Sequence, residues 1–149
     1  MKKKIVLTSI LIVLIVCGVT AYFMEKYYFT ESATITRKFD AQLPPSASIV
    51  EYQKESIILV AKIKCSTKED TERLIKSLSG YEKLNEEEMN DCLYSVSSRR
   101  NADWWDVNST DVQSAYYKTF KINPWIDCLG ETYVFVTQTQ DIYMYRFGK

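Results

Sequence analysis

Residues 131–147 read ETYVFVTQTQDIYMYRF, and the fold is decided there. Two runs rich in Val, Thr, Tyr and Phe, residues 131–139 and 141–147, flank a polar turn at 138–141. β-Branched and aromatic side chains fit a pleated surface, so the stretch predicts an antiparallel hairpin. Working backwards, residues 48–52 and 56–65 read as two more strands, linked by Gln53, Lys54 and Glu55. In the second, Ile57, Leu59, Ala61, Ile63 and Cys65 share one face while Lys62 and Lys64 share the other. Between these hairpins the pattern is helical. Ser66 and Glu69 form a capping box ahead of Leu74, Ile75 and Leu78, with Gly80 as the stop. Residues 85–93 predict a second helix. Thr110 and Gln113 suggest a third, with Val112, Ala115, Tyr116, Thr119 and Phe120 on one face and Pro124 ending it. Residues 31–39 alternate weakly, as a strand would, and the prolines in residues 40–46 mark a loop. Strands, then helices, then a terminal hairpin predict an α+β domain with an antiparallel sheet and two or three helices.

The N-terminus is of another kind. Residues 5–24 contain no charge and follow Lys2, Lys3 and Lys4. As a helix this run would extend about 30 Å, the thickness of a bilayer's hydrocarbon core. Tyr22, Phe23, Tyr27, Tyr28 and Phe29 behind it are residues that favour the membrane–water boundary. The expectation is a single-pass anchor over residues 1–29, its N-terminus cytoplasmic, followed by an extracytoplasmic domain over residues 30–149. Two other fates stay open. Cleavage near Ala21, after a 12-residue apolar core and Gly18, would leave a secreted or periplasmic protein. Lipidation of Cys17 would need a small residue where Val16 stands.

Composition limits the activity. The 149 residues are 46% hydrophobic with four glycines and three prolines, as in a folded domain rather than a disordered chain. Net charge is zero, and the three lysines of the leader leave the rest of the chain slightly acidic. There is no basic surplus for a nucleic acid. The absence of histidine removes Ser-His-Asp and Cys-His catalysis and every His-ligated metal.

Cys65, Cys92 and Cys128 are spaced like no zinc motif, and in an oxidising compartment they imply one disulfide. Cys92–Cys128 is the favoured pair among three. The acidic Glu86, Glu87, Glu88 and Asp91 lack the glycine and alternation of a calcium loop. No metal or cofactor is expected. The candidate ligand or partner surface is the stretch that runs from Arg99 and Arg100 through Asp103, Trp104 and Trp105 to Asp106. Its indoles could stack on a sugar while the carboxylates accept hydroxyl hydrogen bonds, or they could fill the core.

The basic leader with its apolar segment, residues 43–48 (LPPSAS), Trp104-Trp105 and residues 142–147 (IYMYRF) resemble small exported proteins of bacteria in their order. That resemblance implies export and brings no activity and no site residues. The leading functional expectation is a non-catalytic, membrane-tethered binding module for an envelope protein, a toxin or a glycan. The alternative is a hydrolase, which requires two carboxylates about 5–10 Å apart in a cleft beside exposed aromatics.

Overall fold

The computed structural model describes residues 2–28, 30–99, 102–123 and 126–148, with side chains described for 10–24, 30–99, 102–122 and 128–148. Phe29, Arg100 and Pro124 lie outside these residues, as do the side chains of Lys2, Lys3, Lys4, Tyr27 and Tyr28. The chain divides into two units, Met1–Thr34 and Ile35–Lys149.

The first unit holds helix α1 (Lys2–Tyr28) and the start of α2 (Glu31–Phe39). Among the described residues no helix is long and apolar enough to cross a membrane. The expected single-pass anchor is corrected on this finding, and the cell-membrane localisation built on it goes too. Residues 31–39 are helical rather than extended. Thr30 Oγ1 accepts the Ala33 amide at 3.2 Å, a hydroxyl cap that a weak alternation of side chains did not reveal.

The second unit is an antiparallel α+β body. Its strands are β1 (Ser48–Glu55), β2 (Ile58–Lys64), β3 (Glu82–Lys83), β4 (Val112–Asn123), β5 (Ile126–Thr137) and β6 (Asp141–Phe147). They form one sheet in the order β1-β2-β6-β5-β4-β3. Helices α3 (Lys68–Ser77) and α4 (Glu86–Arg99) complete it.

Both faces of the central strands are apolar, so both are covered. Leu59, Ala61, Ile63, Val134, Val136, Ile142 and Met144 meet Ile35 and Phe39 of α2 and Leu74 of α3. On the reverse, Val60, Tyr133, Phe135, Tyr143 and Tyr145 meet Leu93 and Val96 of α4, together with Ala102, Trp105 and Val107. The period of two in β2, β5 and β6 distributes these residues between two cores.

The terminal hairpin agrees with the sequence reading. The first hairpin turns later than expected, at Ser56 and Ile57, because pairing continues to Glu55 opposite Ile58. A two-residue connection is the preferred hairpin loop. The cap of α3 lies one residue later: Thr67 Oγ1 accepts the Asp70 amide at 3.1 Å, while Ser66 Oγ donates to the Ser46 carbonyl. Helix α4 begins with a reciprocal box, Asn85 N to Glu88 Oε2 and Glu88 N to Asn85 Oδ1, and continues past the expected end at Leu93.

The expected third helix is strand β4. Tyr116 opposes Val134 and Tyr117 opposes Tyr133, so a long-range ladder overrides a locally plausible cap. The β-branched and aromatic content of residues 112–122 agrees with that outcome.

One cross-strand pair fixes how β4 sits on β5. Phe120 faces Gly130, and a Cβ built on Gly130 would come within 2.1 Å of Phe120 Cζ. The ring lies over the glycine, with the Arg146 guanidinium 3.3 Å from its centroid on the sheet surface. The φ of Gly130 is not in the left-handed region, so the requirement is space alone. Gly130→Ala is expected to cost about 1–3 kcal/mol in urea denaturation through overpacking. Adding Phe120→Ala should recover part of that loss, and strictly additive losses would refute the steric account.

Candidate functional site

The stretch over residues 102–107 enters the second core at Trp105, which is 2% exposed. Its indole meets Tyr143, Phe135 and Tyr145 edge-on, at centroid distances of 5.3, 6.2 and 6.3 Å. Truncating such a side chain costs about 3–5 kcal/mol. Trp105 is therefore a packing residue and has no free face for a ligand. Trp104 is half-buried against the same core, 6.1 Å from Trp105 and tilted by 45°. Asp103 is exposed.

Asp106 is carried out of the core by its neighbour. Its Oδ1 accepts the Tyr143 hydroxyl at 2.5 Å and pairs with Lys62 Nζ at 3.3 Å. Lys62 and Tyr143 are cross-strand partners of β2 and β6, so sheet register puts the ammonium and the phenol side by side. Lys62 Nζ also lies 4.8 Å from the Tyr143 ring centroid.

The hydrogen bond from Tyr143, helped by Lys62, holds the Asp106 carboxyl below the usual carboxylate range. Burial pulls Lys62 down, but its hydrogen bonds to Tyr143 and Asp106 outweigh this and the ammonium is favoured. Burial and donation to Asp106 both push the Tyr143 phenol up. The trio is thus fixed as carboxylate, ammonium and neutral phenol.

These groups line a groove of about 260 Å³ with Asp111, Gln138, Thr139 and Asp141. A second groove of about 440 Å³, on the other side of the sheet, is lined in part by Lys68, Lys83, Gln113, Ser114, Tyr116 and Gln140. Thr137 and Gln138 belong to both grooves. The β5–β6 turn between them is tied down. Thr137 Oγ1 accepts the Asp141 amide at 3.0 Å, the Gln138 amide donates to Asp111 O at 2.9 Å, and Gln138 Nε2 donates to Thr110 O at 3.3 Å. Gln140 takes the left-handed conformation, φ 67°, that closes the turn.

Of the residues singled out from sequence, Asp106 is the one in this groove. Arg99 points elsewhere, with Nη1 3.1 Å from Glu131 Oε2 and its guanidinium over Phe147. Phe147 is four residues along β6 from Tyr143, about 13 Å at ~3.3 Å per residue. Arg100 lies outside the described residues. Lys62, Tyr143, Asp111 and Asp141 were not singled out, since only the pairing of β2 with β6 and the 110–111 connection bring them together. The alternation that put Lys62 opposite Ile63 was the sole local clue.

The expected Cys92–Cys128 disulfide is corrected: Cys17, Cys65, Cys92 and Cys128 are all free. Cys92 lies on α4 against the second core, whereas Cys128 is exposed on β5. Sequence spacing carries no information on which way two thiols point. Among the described residues no cluster of Cys, Asp or Glu could hold a metal ion.

A scan of family models, a search of curated proteins and a search of solved structures find no match to this chain. The geometry alone carries the functional reading.

Two measurements check the site. Tyr143→Phe should raise the Asp106 pKa toward its ordinary 3.8 in a carboxyl-carbon NMR titration. Because the folded pKa is depressed, the stabilisation is present above the unfolded value and lost as pH falls through the folded one. The stability gap between wild type and variant should therefore close below about pH 4. In native alkylation with iodoacetamide followed by mass mapping, Cys17 and Cys128 should label first. Burial pushes the Cys65 and Cys92 thiols up, and they should react at comparable rates only after unfolding.

Proposed function

We propose that the body is a non-catalytic binding module that takes a polar, hydroxyl-rich ligand, a glycan being the best-fitting class, where β5 turns into β6. The observation that supports this reading is the tied turn shared by two grooves, with donors and acceptors already fixed around it. Carboxylates at Asp106, Asp111 and Asp141 accept from hydroxyl groups, while Lys62, Gln138 and Thr139 supply donors. A turn held by its own hydrogen bonds loses little freedom on binding, which favours affinity.

The three carboxylates also favour a second reading, hydrolysis of a glycosidic bond. That chemistry needs one carboxyl group kept protonated as general acid. Asp106 is driven the other way by Tyr143 and Lys62, so it does not supply that acid.

Amide NMR titration with a panel of soluble oligosaccharides tests the proposal. The expected result is saturable shifts centred on residues 137–141, weakened about 10-fold by Asp106→Ala through loss of a charged acceptor. Shifts confined to other surfaces, or none with any saccharide, would reject it. Release of reducing ends would favour the hydrolytic reading.

A further inference from the structure

Residues 42–46 run beside α3 and are fastened to it at both ends. At one end the Gln42 amide donates to Ser77 Oγ at 2.8 Å, and Ser77 in turn donates to Leu74 O at 2.7 Å. At the other, the Ser46 hydroxyl donates to Asp70 Oδ2, and Ser46 O accepts from Ser66 Oγ at 3.1 Å. Between the ties stand Leu43, Pro44 and Pro45, and the ring-locked φ angles of the two prolines leave the backbone little freedom. The Ala47 amide closes the turn onto Pro44 O at 2.9 Å.

A groove of about 450 Å³ lies between this strap and the helix. One wall is apolar, built from Leu43, Pro44 and Pro45. The opposite wall carries Arg73 and Lys76, three residues apart and so on the same side of α3. Arg73 is 74% exposed and has one long contact, 3.5 Å, to Asp70 of its own helix. Among the described residues no carboxylate pairs with Lys76, and none lines the groove. An apolar wall facing two available cations calls for a ligand that is apolar and anionic along its length. A small anion would use the cations and leave the prolines wet.

We propose that this groove docks an acidic peptide segment, with an apolar side chain against Leu43, Pro44 and Pro45 and carboxylates on Arg73 and Lys76. The site is separate from the grooves at the β5–β6 turn and does not depend on the reading given to them. Both cations lie on the exposed side of α3, so charge changes there leave the core intact. The two fastenings keep the groove open before a ligand arrives, which lowers the ordering cost of binding.

The test uses the full chain and a fluorescein-labelled, end-capped nonapeptide alternating Glu and Leu, followed by anisotropy. Saturable binding is expected, weakened at least ~10-fold by combined Arg73→Glu and Lys76→Glu and severalfold between about 50 and 300 mM salt. Unchanged melting temperature of the double variant verifies its fold, and Lys62→Gln in the other groove should bind like wild type. Gln-for-Glu and Ser-for-Leu peptides should each bind at least ~10-fold more weakly, because each removes one of the two recognised features. Undiminished binding by the double variant, equal binding of either control peptide, or no saturable binding would overturn the proposal. Full displacement of the peptide by low-millimolar inorganic phosphate would also overturn it, marking an anion site only.

Discussion

Strands β5 and β6 are apolar on both faces, and the body is arranged around covering the two sides. Antiparallel sheets commonly bury one face and wet the other. Here Val134, Val136, Ile142 and Met144 demand a layer on one side, while Tyr133, Phe135, Tyr143 and Tyr145 demand one on the other. Helices α2 and α3 supply the first layer. The second is only part helix, since α4 provides Leu93 and Val96 and the irregular stretch after it provides Trp105. A large indole does there what another turn of helix would otherwise do.

This explains why the candidate site lies where it does. A chain that sends Trp105 inward must bring its next residue back toward solvent, and Asp106 emerges beside the polar end of Tyr143. Tyr143 contributes its ring to the core and its hydroxyl to the groove, the divided role suited to a tyrosine at a boundary. Lys62 lies along the same ring with its ammonium at the rim. Packing and recognition therefore share side chains. The groove's polar groups are set by the same contacts that hold the sheet to its cover.

How much of this was legible depends on the range of the signal. The terminal hairpin, the α3 stripe and the cap at Asn85 are local patterns, and each is read from a few neighbouring residues. Residues 112–123 misled because a threonine and a glutamine three apart imitate a cap, and only β5, opposite them in the ladder, decides the issue. Residues 31–39 misled in the reverse direction, their helical cap at Thr30 being hidden by alternation. At the site, the two-tryptophan stretch announced itself, and its dual reading resolved toward packing for Trp105. Beyond the place of Lys62 in the alternation of β2, nothing local marks Lys62 and Tyr143 as partners, because they meet through pairing across about eighty residues of chain. The disulfide failed for a related reason: separation along the chain does not define distance or direction.

The far end of α2 ties distant parts of the chain together. Asp40 takes the left-handed conformation, φ 48°, and the Ala41 amide returns to Thr36 O, the pattern of a Schellman stop. Two carbonyls before the stop are then claimed from afar: Lys38 O by Arg146 Nη1 at 2.6 Å and Phe39 O by the Tyr81 hydroxyl at 2.8 Å. Lys118 completes the grip on Asp40 at 2.7 Å. The earliest helical residues of the body are thus tied to its last strand, so loosening either end of this unit breaks a hydrogen bond made with the other. Fraying, which in most domains starts independently at each terminus, carries here a cost that both ends share.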